Sequence, residues 1–346
     1  MDARSIAVLA PGGIGAPIGG LLTRAGHDVV LIDQWTEHVE AMRSAGLRIE
    51  IGTRQAPEGE LVVPVRAYHL YELASVRPSF DVVFLSAKSY DTAWLVELIR
   101  PYLAPDGVLV AVQNSLNEEW IAPVLGAERV VGCVLTGGGE LLAPGHVWRN
   151  RSLNHPYYTL GELDGQVTPR LAELVELLSD AGKTKTTTNL LGSKWTKLVH
   201  NAMGSALSAL AGKRIWELVD TPGFLPRCTA SAREAMQVGA TLGYTMEPLF
   251  GMPADRWLGS TDAAVAELIR AASSGASEGS TNMVQQEIAR GRPSEVTGFL
   301  NGLVVRKGVE AGVPTPINRS ITEVFPRLET GEISPDVANL GLVAAA

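Results

Sequence analysis

Ala10-Pro11-Gly12-Gly13-Ile14-Gly15 is the first place in this chain where residue type and spacing point to chemistry. It follows the apolar run Ile6-Ala7-Val8-Leu9 directly and precedes a helical pattern. A dinucleotide fingerprint places Gly-x-Gly-x-x-Gly there. The first glycine makes the tight turn, the second admits the backbone to the pyrophosphate, and the third lets the helix sit close to the strand. Gly12 and Gly15 take the second and third places, with Gly13 and Ile14 between them. Ala10 stands at the first place, which is compatible if the backbone there does not need positive φ. Asp33 closes the second apolar run, 18 residues after Gly15. A carboxylate in that position accepts hydrogen bonds from the adenosine ribose hydroxyls and repels a 2′-phosphate, and Gln34 brings no positive charge to offset it. The expected cofactor is therefore NAD(H) rather than NADP(H). The competing reading is a glycine-rich turn with a surface aspartate and no ligand; the order strand, turn, helix, strand, acid speaks against it.

The elements that would position these residues follow a βαβ rhythm. Val29–Ile32, Leu61–Val63 with Val65, Val82–Leu85, Val108–Val112 and Val130–Val134 read as further strands. Runs that are apolar throughout suit a parallel sheet covered on both faces. Helical patterns lie between them at 17–25, 36–45, 91–100 and 118–125. Beyond Thr168 the rhythm becomes helical, with candidate helices at 169–181, 190–210, 226–242, 262–272 and 295–311, the last ended by Gly312-Val313-Pro314. The segment 271–280 reads as a loop, with a new helix starting near Thr281. The expected architecture is α/β: a Rossmann-type doubly wound sheet domain over 1–185, followed by a mainly α-helical substrate and dimerisation domain over 186–330. A peripheral tail follows over 331–346.

Composition narrows the function classes. The chain has 346 residues and a formal charge of -8, from 29 Lys plus Arg against 37 Asp plus Glu, with no basic run for a phosphate backbone. It has no apolar stretch of membrane-spanning length and no export-signal pattern at its start, so no membrane partner is expected. Cys133 and Cys228 are far apart and form no CxxC pair, which fits a reducing cytoplasm. The six histidines show no metal-ligand spacing, and no metal is expected.

The chain resembles the ketopantoate reductase (2-dehydropantoate 2-reductase) family over most of its length. The resemblance is carried by the N-terminal fingerprint, by Asp81-Val82-Val83-Phe84-Leu85-Ser86-Ala87-Lys88 and by Gln113-Asn114-Ser115-Leu116-Asn117-Glu118-Glu119. In the second domain it is carried by Lys194-Trp195-Thr196-Lys197-Leu198-Val199-His200-Asn201-Ala202-Met203, Gly291-Arg292-Pro293-Ser294-Glu295, Leu300-Asn301-Gly302 and Gly312-Val313-Pro314-Thr315-Pro316. It implies that Lys197 donates a proton to the ketone oxygen as hydride arrives. An alkoxide forming there needs such a donor of positive charge. It implies that Asn201, one helical turn on, lies beside the substrate. Asn114 belongs beside the nicotinamide or substrate, Lys88 near the nicotinamide end, and Glu295 against the substrate hydroxyl or the lysine. An acid near Lys197 would also keep that lysine charged. The implied partners are a small keto or hydroxy compound and, as in many relatives, a second copy of the chain in a homodimer.

The departures concern the substrate. Ser205 stands where the family has a second asparagine, and Met283 falls at the place of a substrate-carboxylate serine, with Thr281 and Asn282 as neighbouring substitutes. A methionine there would favour a larger or more apolar substrate. Thr297-Gly298 looks like a one-residue insertion after Glu295. His200 is ranked below Lys197 as a proton donor. Trp195 and Trp216 read as packing residues, and His155–Tyr158 as a first-domain edge or interdomain segment without chemistry. Two alternatives stay open: a catabolic dehydrogenase of a non-pantoate secondary alcohol or hydroxy acid, and a noncatalytic dinucleotide-binding sensor.

Overall fold

The computed structural model describes residues 4–75, 79–249, 251–274 and 281–345. The chain divides into two compact units, Met1–Leu190 and Leu191–Ala346. In the first unit the elements run β1 (Ser5–Leu9), α1 (Gly15–Arg24), β2 (Asp28–Asp33), α2 (Thr36–Ala45), β3 (Leu47–Gly52), β4 (Pro57–Val63), β5 (Arg66–His69) and β6 (Phe80–Leu85). They continue as α3 (Thr92–Ile99), β7 (Leu103–Ala111), α4 (Glu118–Leu125), β8 (Val130–Leu135), β9 (Gly139–Ala143), β10 (His146–Arg149), β11 (Tyr158–Glu162), α5 (Pro169–Ser179) and β12 (Thr184–Thr186).

The main sheet has the order β12-β11-β8-β7-β6-β1-β2-β5. From β5 to β8 every pairing is parallel, which is the doubly wound arrangement with the order reversing between β1 and β6. The strands are apolar throughout because each feeds two cores. Ile6, Val8, Val29, Leu31, Val82 and Phe84 face one cluster with Ile18 and Leu22 of α1 and Leu171, Leu174 and Leu178 of α5. Ala7, Leu9, Val30, Ile32, Val83 and Leu85 face the other with Leu95, Val96 and Ile99 of α3 and Ile121 of α4.

Four expectations need correction here. The run Leu61–Val63 is not the third strand of the main sheet. It ends β4, which pairs antiparallel with β3 in a second sheet of order β4-β3-β10-β9. The third strand is β5, Arg66–His69, paired parallel to β2 after Pro64 breaks the chain direction. As an edge strand it alternates exposed and buried residues instead of being apolar throughout. The segment near Tyr158 is also not an edge: β11 lies inside the sheet, antiparallel to β8 and parallel to β12. Tyr157 and Tyr158 are buried there around Arg149, whose guanidinium sits 3.7 Å from the Tyr157 ring centroid and donates to the Ala181 carbonyl at 2.9 Å.

In the second unit the elements are α6 (Leu190–Ala211), which spans the division, α7 (Ile215–Leu218), α8 (Phe224–Thr241), α9 (Ala254–Gly259), α10 (Asp262–Ser274), α11 (Met283–Ala289), α12 (Val296–Phe299), α13 (Asn301–Ala311) and α14 (Pro316–Glu329). The third correction falls on 295–311, read as one helix. It breaks at Leu300, with φ -109° and ψ -100°. The Glu295 carbonyl accepts from both Phe299 N and Leu300 N at 2.8 Å, closing α12 after one turn. Gly302, lacking a Cβ, lets α13 start directly against the Thr297 carbonyl. Most of the loop expected over 271–280 lies outside the described residues. The tail is not peripheral: Asn339 Nδ2 and Asp336 N donate to the Leu210 carbonyl at 3.0 and 2.9 Å, Arg227 of α8 donates to the Val343 carbonyl at 2.9 Å, and Leu340 and Val343 are buried.

Candidate active site

The glycine turn leaves the carboxyl end of β1. Ala10 adopts φ +56°, so the backbone does need positive φ at the first fingerprint place and the alanine carries that strain. The strand ends around it hold it there. Ala10 N donates to the Ile32 carbonyl at 2.9 Å, and the Ala10 carbonyl accepts from Gly12 N and from the Ser86 hydroxyl, both at 2.8 Å. A Cβ on Gly12 would meet nothing within 4 Å, so this residue offers bare backbone to an approaching group. A Cβ on Gly15 would run into the Ser86 side chain, the close helix–strand approach the third fingerprint glycine serves. Gly13 backs onto the start of β9, where a Cβ would stand 2.7 Å from Glu140 N. Ile14 is the N-cap of α1, whose first turn holds no acidic side chain, as an anion site at a helix N-terminus requires. These features fit a nicotinamide dinucleotide.

Asp33 ends β2 and is only 8% exposed. Its Oδ1 accepts from Trp35 N at 2.7 Å, which fixes the carboxylate at the start of α2. His38, on the first turn of α2, is fully buried. Burial pushes its pKa down, partly opposed by the Asp33 charge.

Lys88 and Asn114 follow β6 and β7, whose ends pair at Leu85 and Ala111. A buried side-chain network welds the two loops. Gln113 Nε2 donates to the Ala87 carbonyl at 2.9 Å and to the Thr92 hydroxyl at 2.8 Å. That hydroxyl donates to Asn117 Oδ1 at 2.8 Å, and Asn117 Nδ2 donates to the Ser89 hydroxyl at 3.0 Å and to the Asn114 carbonyl at 2.6 Å. Ser115 takes φ +68° to make this turn. Ser86 joins the β6 loop to the glycine turn, so all three loops sit at the sheet's switch point, where doubly wound folds bind ligands.

In the second unit α6 carries a polar stripe. Lys194, Lys197, Asn201, Ser205 and Ser208 recur at spacings of three and four, which places them on one face. Lys197 is half-buried; the other four are buried, Lys194 to 2% exposure. The helix is anchored in its core through the buried Leu198, Val199, Ala202, Ala206 and Leu210. Trp195 is fully buried, and its indole donates to the Ala235 carbonyl at 2.9 Å, so it is a packing residue. His200 lies on the exposed side of the helix.

A knot that sequence reasoning missed grips α6 beside Asn201. The Ala202 carbonyl accepts from Asn301 Nδ2 at 2.9 Å and from the Ser231 hydroxyl at 3.3 Å. Both donors also reach Asn318 Oδ1, and Asn318 Nδ2 donates to Glu234 at 2.7 Å. Burial pushes the Glu234 carboxyl pKa up, while bonds from Asn318 N and Ile317 N oppose that rise. Glu295 is buried at the N-cap of α12, whose following break delivers Asn301 to α6; Thr297 and Gly298 lie within that short turn. Asn282 is the N-cap of α11: its Oδ1 accepts from Val284 N and Gln285 N, and its Nδ2 donates to the Ser208 hydroxyl at 2.6 Å. That amide closes the end of the α6 stripe, which leaves Met283 as the half-buried first residue of the helix. No group of metal-ligating side chains occurs among the described residues.

Comparison with known proteins decides the family. The model for ketopantoate reductase PanE/ApbA matches residues 6–165, and the model for its C-terminal domain matches residues 189–329. The chain belongs to the ketopantoate reductase family. A 2-dehydropantoate 2-reductase of Archaeoglobus fulgidus is 28% identical over 333 residues, covering 96% of this chain and 100% of that one. The crystal structure of a ketopantoate reductase from Ralstonia eutropha superposes with a TM-score of 0.77 at 27% identity, over 95% and 99% of the two chains. A D-mandelate dehydrogenase solved with NADH and anilino(oxo)acetate shares the fold, with a TM-score of 0.79 at 21% identity over 94% and 99%.

As a ketopantoate reductase family member the chain is an oxidoreductase that acts on a carbonyl or CH–OH group with a nicotinamide dinucleotide. Residues that sequence reasoning passed over are Ser86, His38, Gly139 and the Asn301–Asn318–Ser231 knot. Ser86 and Asn301 stood inside the quoted motifs without an assigned role, and Gly139 left a signal in the run Gly137-Gly138-Gly139. The others act through long-range contacts that no local spacing encodes.

Proposed function

We propose that this chain is an NAD(H)-preferring reductase or dehydrogenase of a small 2-keto or 2-hydroxy acid, with Lys197 as its proton-transfer group. The observation that carries this reading is the polar stripe on α6, where a lysine and an asparagine one turn apart stand among Lys194, Ser205 and Ser208 on one face of a largely buried helix. A bound dinucleotide supplies or accepts hydride at its nicotinamide. The Lys197 ammonium gives its proton to the carbonyl oxygen, so that negative charge does not build up there; in the reverse direction the amine takes that proton back. Asn201, Asn114 and Glu295 orient the reacting oxygen, and Ser205, Asn282 and Met283 line the substrate. Of these, Asn282 contributes through the α11 cap and Ser208. Ala10, Gly12, Gly13, Ile14 and Gly15 receive the pyrophosphate, Asp33 the adenosine ribose, and Lys88 with Asn114 the nicotinamide end. Asp33 supports NAD(H), although ketopantoate reductases typically take NADPH. The helical unit serves as a homodimer surface, and the compartment is the cytoplasm.

A panel of 2-hydroxy acids with NAD, and of 2-keto acids with NADH, read at the NADH absorbance, tests this reading. Lys197→Ala should lower kcat by about 10²–10⁴-fold. Unchanged turnover in that variant defeats the proton-transfer role, and NADH binding without turnover on any substrate favours a sensor. Met283 in place of the carboxylate serine supports the second reading, a dehydrogenase of a larger, more apolar hydroxy acid. Turnover of such acids above pantoate selects it.

A further inference from the structure

We propose that His38 is a positioning residue for the dinucleotide: it pins the glycine turn to the β9–β10 hairpin and so holds the turn in its receiving shape. The proposal rests on the reading of that turn as the dinucleotide site. Gly145 N, in the turn between β9 and β10, donates to His38 Nδ1 at 2.8 Å. Nδ1 therefore carries no proton, and the ring must hold its proton at Nε2, where it donates to the Pro11 carbonyl at 3.0 Å. That carbonyl belongs to the peptide whose other end, Gly12 N, is bonded to the Ala10 carbonyl at 2.8 Å. Both ends of the Pro11–Gly12 peptide are thus held, between the strained Ala10 and the bare backbone face of Gly12.

The hairpin meets the turn at a second point. Gly13 and Gly139 touch backbone to backbone, with no room for a Cβ on either. The hairpin is thus a backstop, and His38 is the bolt between it and the turn. An apolar residue would fill the same core position beside Val39 and Met42 but would make neither bond. Asp33 at the end of β2 is the charge that faces His38. On α2 itself Glu37 and Glu40 are exposed, with Glu40 bonded to His69, and on the hairpin His146 is bonded to Glu50. A second proton on His38 would set Nδ1–H against Gly145 N–H, donor to donor, and break the link.

Fluorescence titration of the full chain with NADH, alongside thermal unfolding, tests the role. His38→Leu should raise the Kd for NADH about tenfold, since a hydrogen bond that orders the turn is lost. His38→Gln reaches the Pro11 carbonyl and should restore most of the affinity. His38→Asn reaches only Gly145 N and should restore Tm without affinity. A wild-type Kd in His38→Leu, or affinities that follow Tm across all three variants, overturns the proposal. If His38→Leu does not fold, the pH dependence decides. The neutral ring is favoured by the fold, so wild-type affinity should be full above about pH 6.5, the unperturbed histidine value, and fall as pH drops through the lowered folded value. His38→Gln should lack that fall, and the same fall in both overturns the proposal. Wild-type protein that binds neither NADH nor NADPH overturns the dinucleotide reading itself, and this one with it.

Discussion

Ala10 is where residue chemistry and backbone geometry disagree, since a residue with a Cβ sits at φ +56°. That conformation costs about 1–2 kcal/mol in an L-residue. Ala10→Gly removes the cost but adds about 0.5–1 kcal/mol of unfolded-chain entropy. The variant should therefore be more stable by up to about 1.5 kcal/mol in denaturant unfolding; a loss of stability would mean that the alanine methyl contributes packing that outweighs the strain. Asp33 makes a different prediction. Asp33→Ser keeps an acceptor for Trp35 N but removes the charge, so the ratio of kcat/KM for NAD over NADP should fall at least about tenfold. An unchanged ratio would move cofactor choice elsewhere in the chain.

Whether an element could be read from sequence depended on what surrounds it. β1, β2, β6, β7 and β8 were legible because both faces of each are buried, which writes an unbroken apolar run. β5 was not, because an edge strand of sequence Arg66-Ala67-Tyr68-His69 has only half its residues buried. β10 was not, because its parallel partner β3 lies far away in sequence, and β9, paired with β10, was not, because it is partly exposed along its length. The break between α12 and α13 was hidden by a helical pattern that continues through Leu300. The polar stripe of α6 was legible as a motif, whereas the Asn301 knot that steadies it depends on four helices meeting. Asn301→Ala strips a donor from two buried acceptors, the Ala202 and Asn318 oxygens, and should cost about 1–3 kcal/mol in unfolding free energy. A cost below about 0.5 kcal/mol would show that α6 does not depend on this knot.

At the scale of the molecule, the two family models follow the two units, the first ending at residue 165 and the second beginning at residue 189, beside the division at Leu190. No helix among the described residues is long and apolar enough to cross a membrane. The second unit is closed by its own tail, so a chain ending at Ser334 should unfold at a Tm several degrees lower, since it loses the caps on Leu210 and the buried Leu340 and Val343. An unchanged Tm would make the tail dispensable. The backstop behind the glycine turn has a consequence for synthesis. The fingerprint lies well ahead of its backstop in the chain, since Gly145, which His38 needs, is 107 positions beyond that histidine. Closing a loop of that length is slow and comes late. A chain that stopped before residue 139 would carry the complete motif without its backstop, so dinucleotide affinity is expected to need most of the first unit.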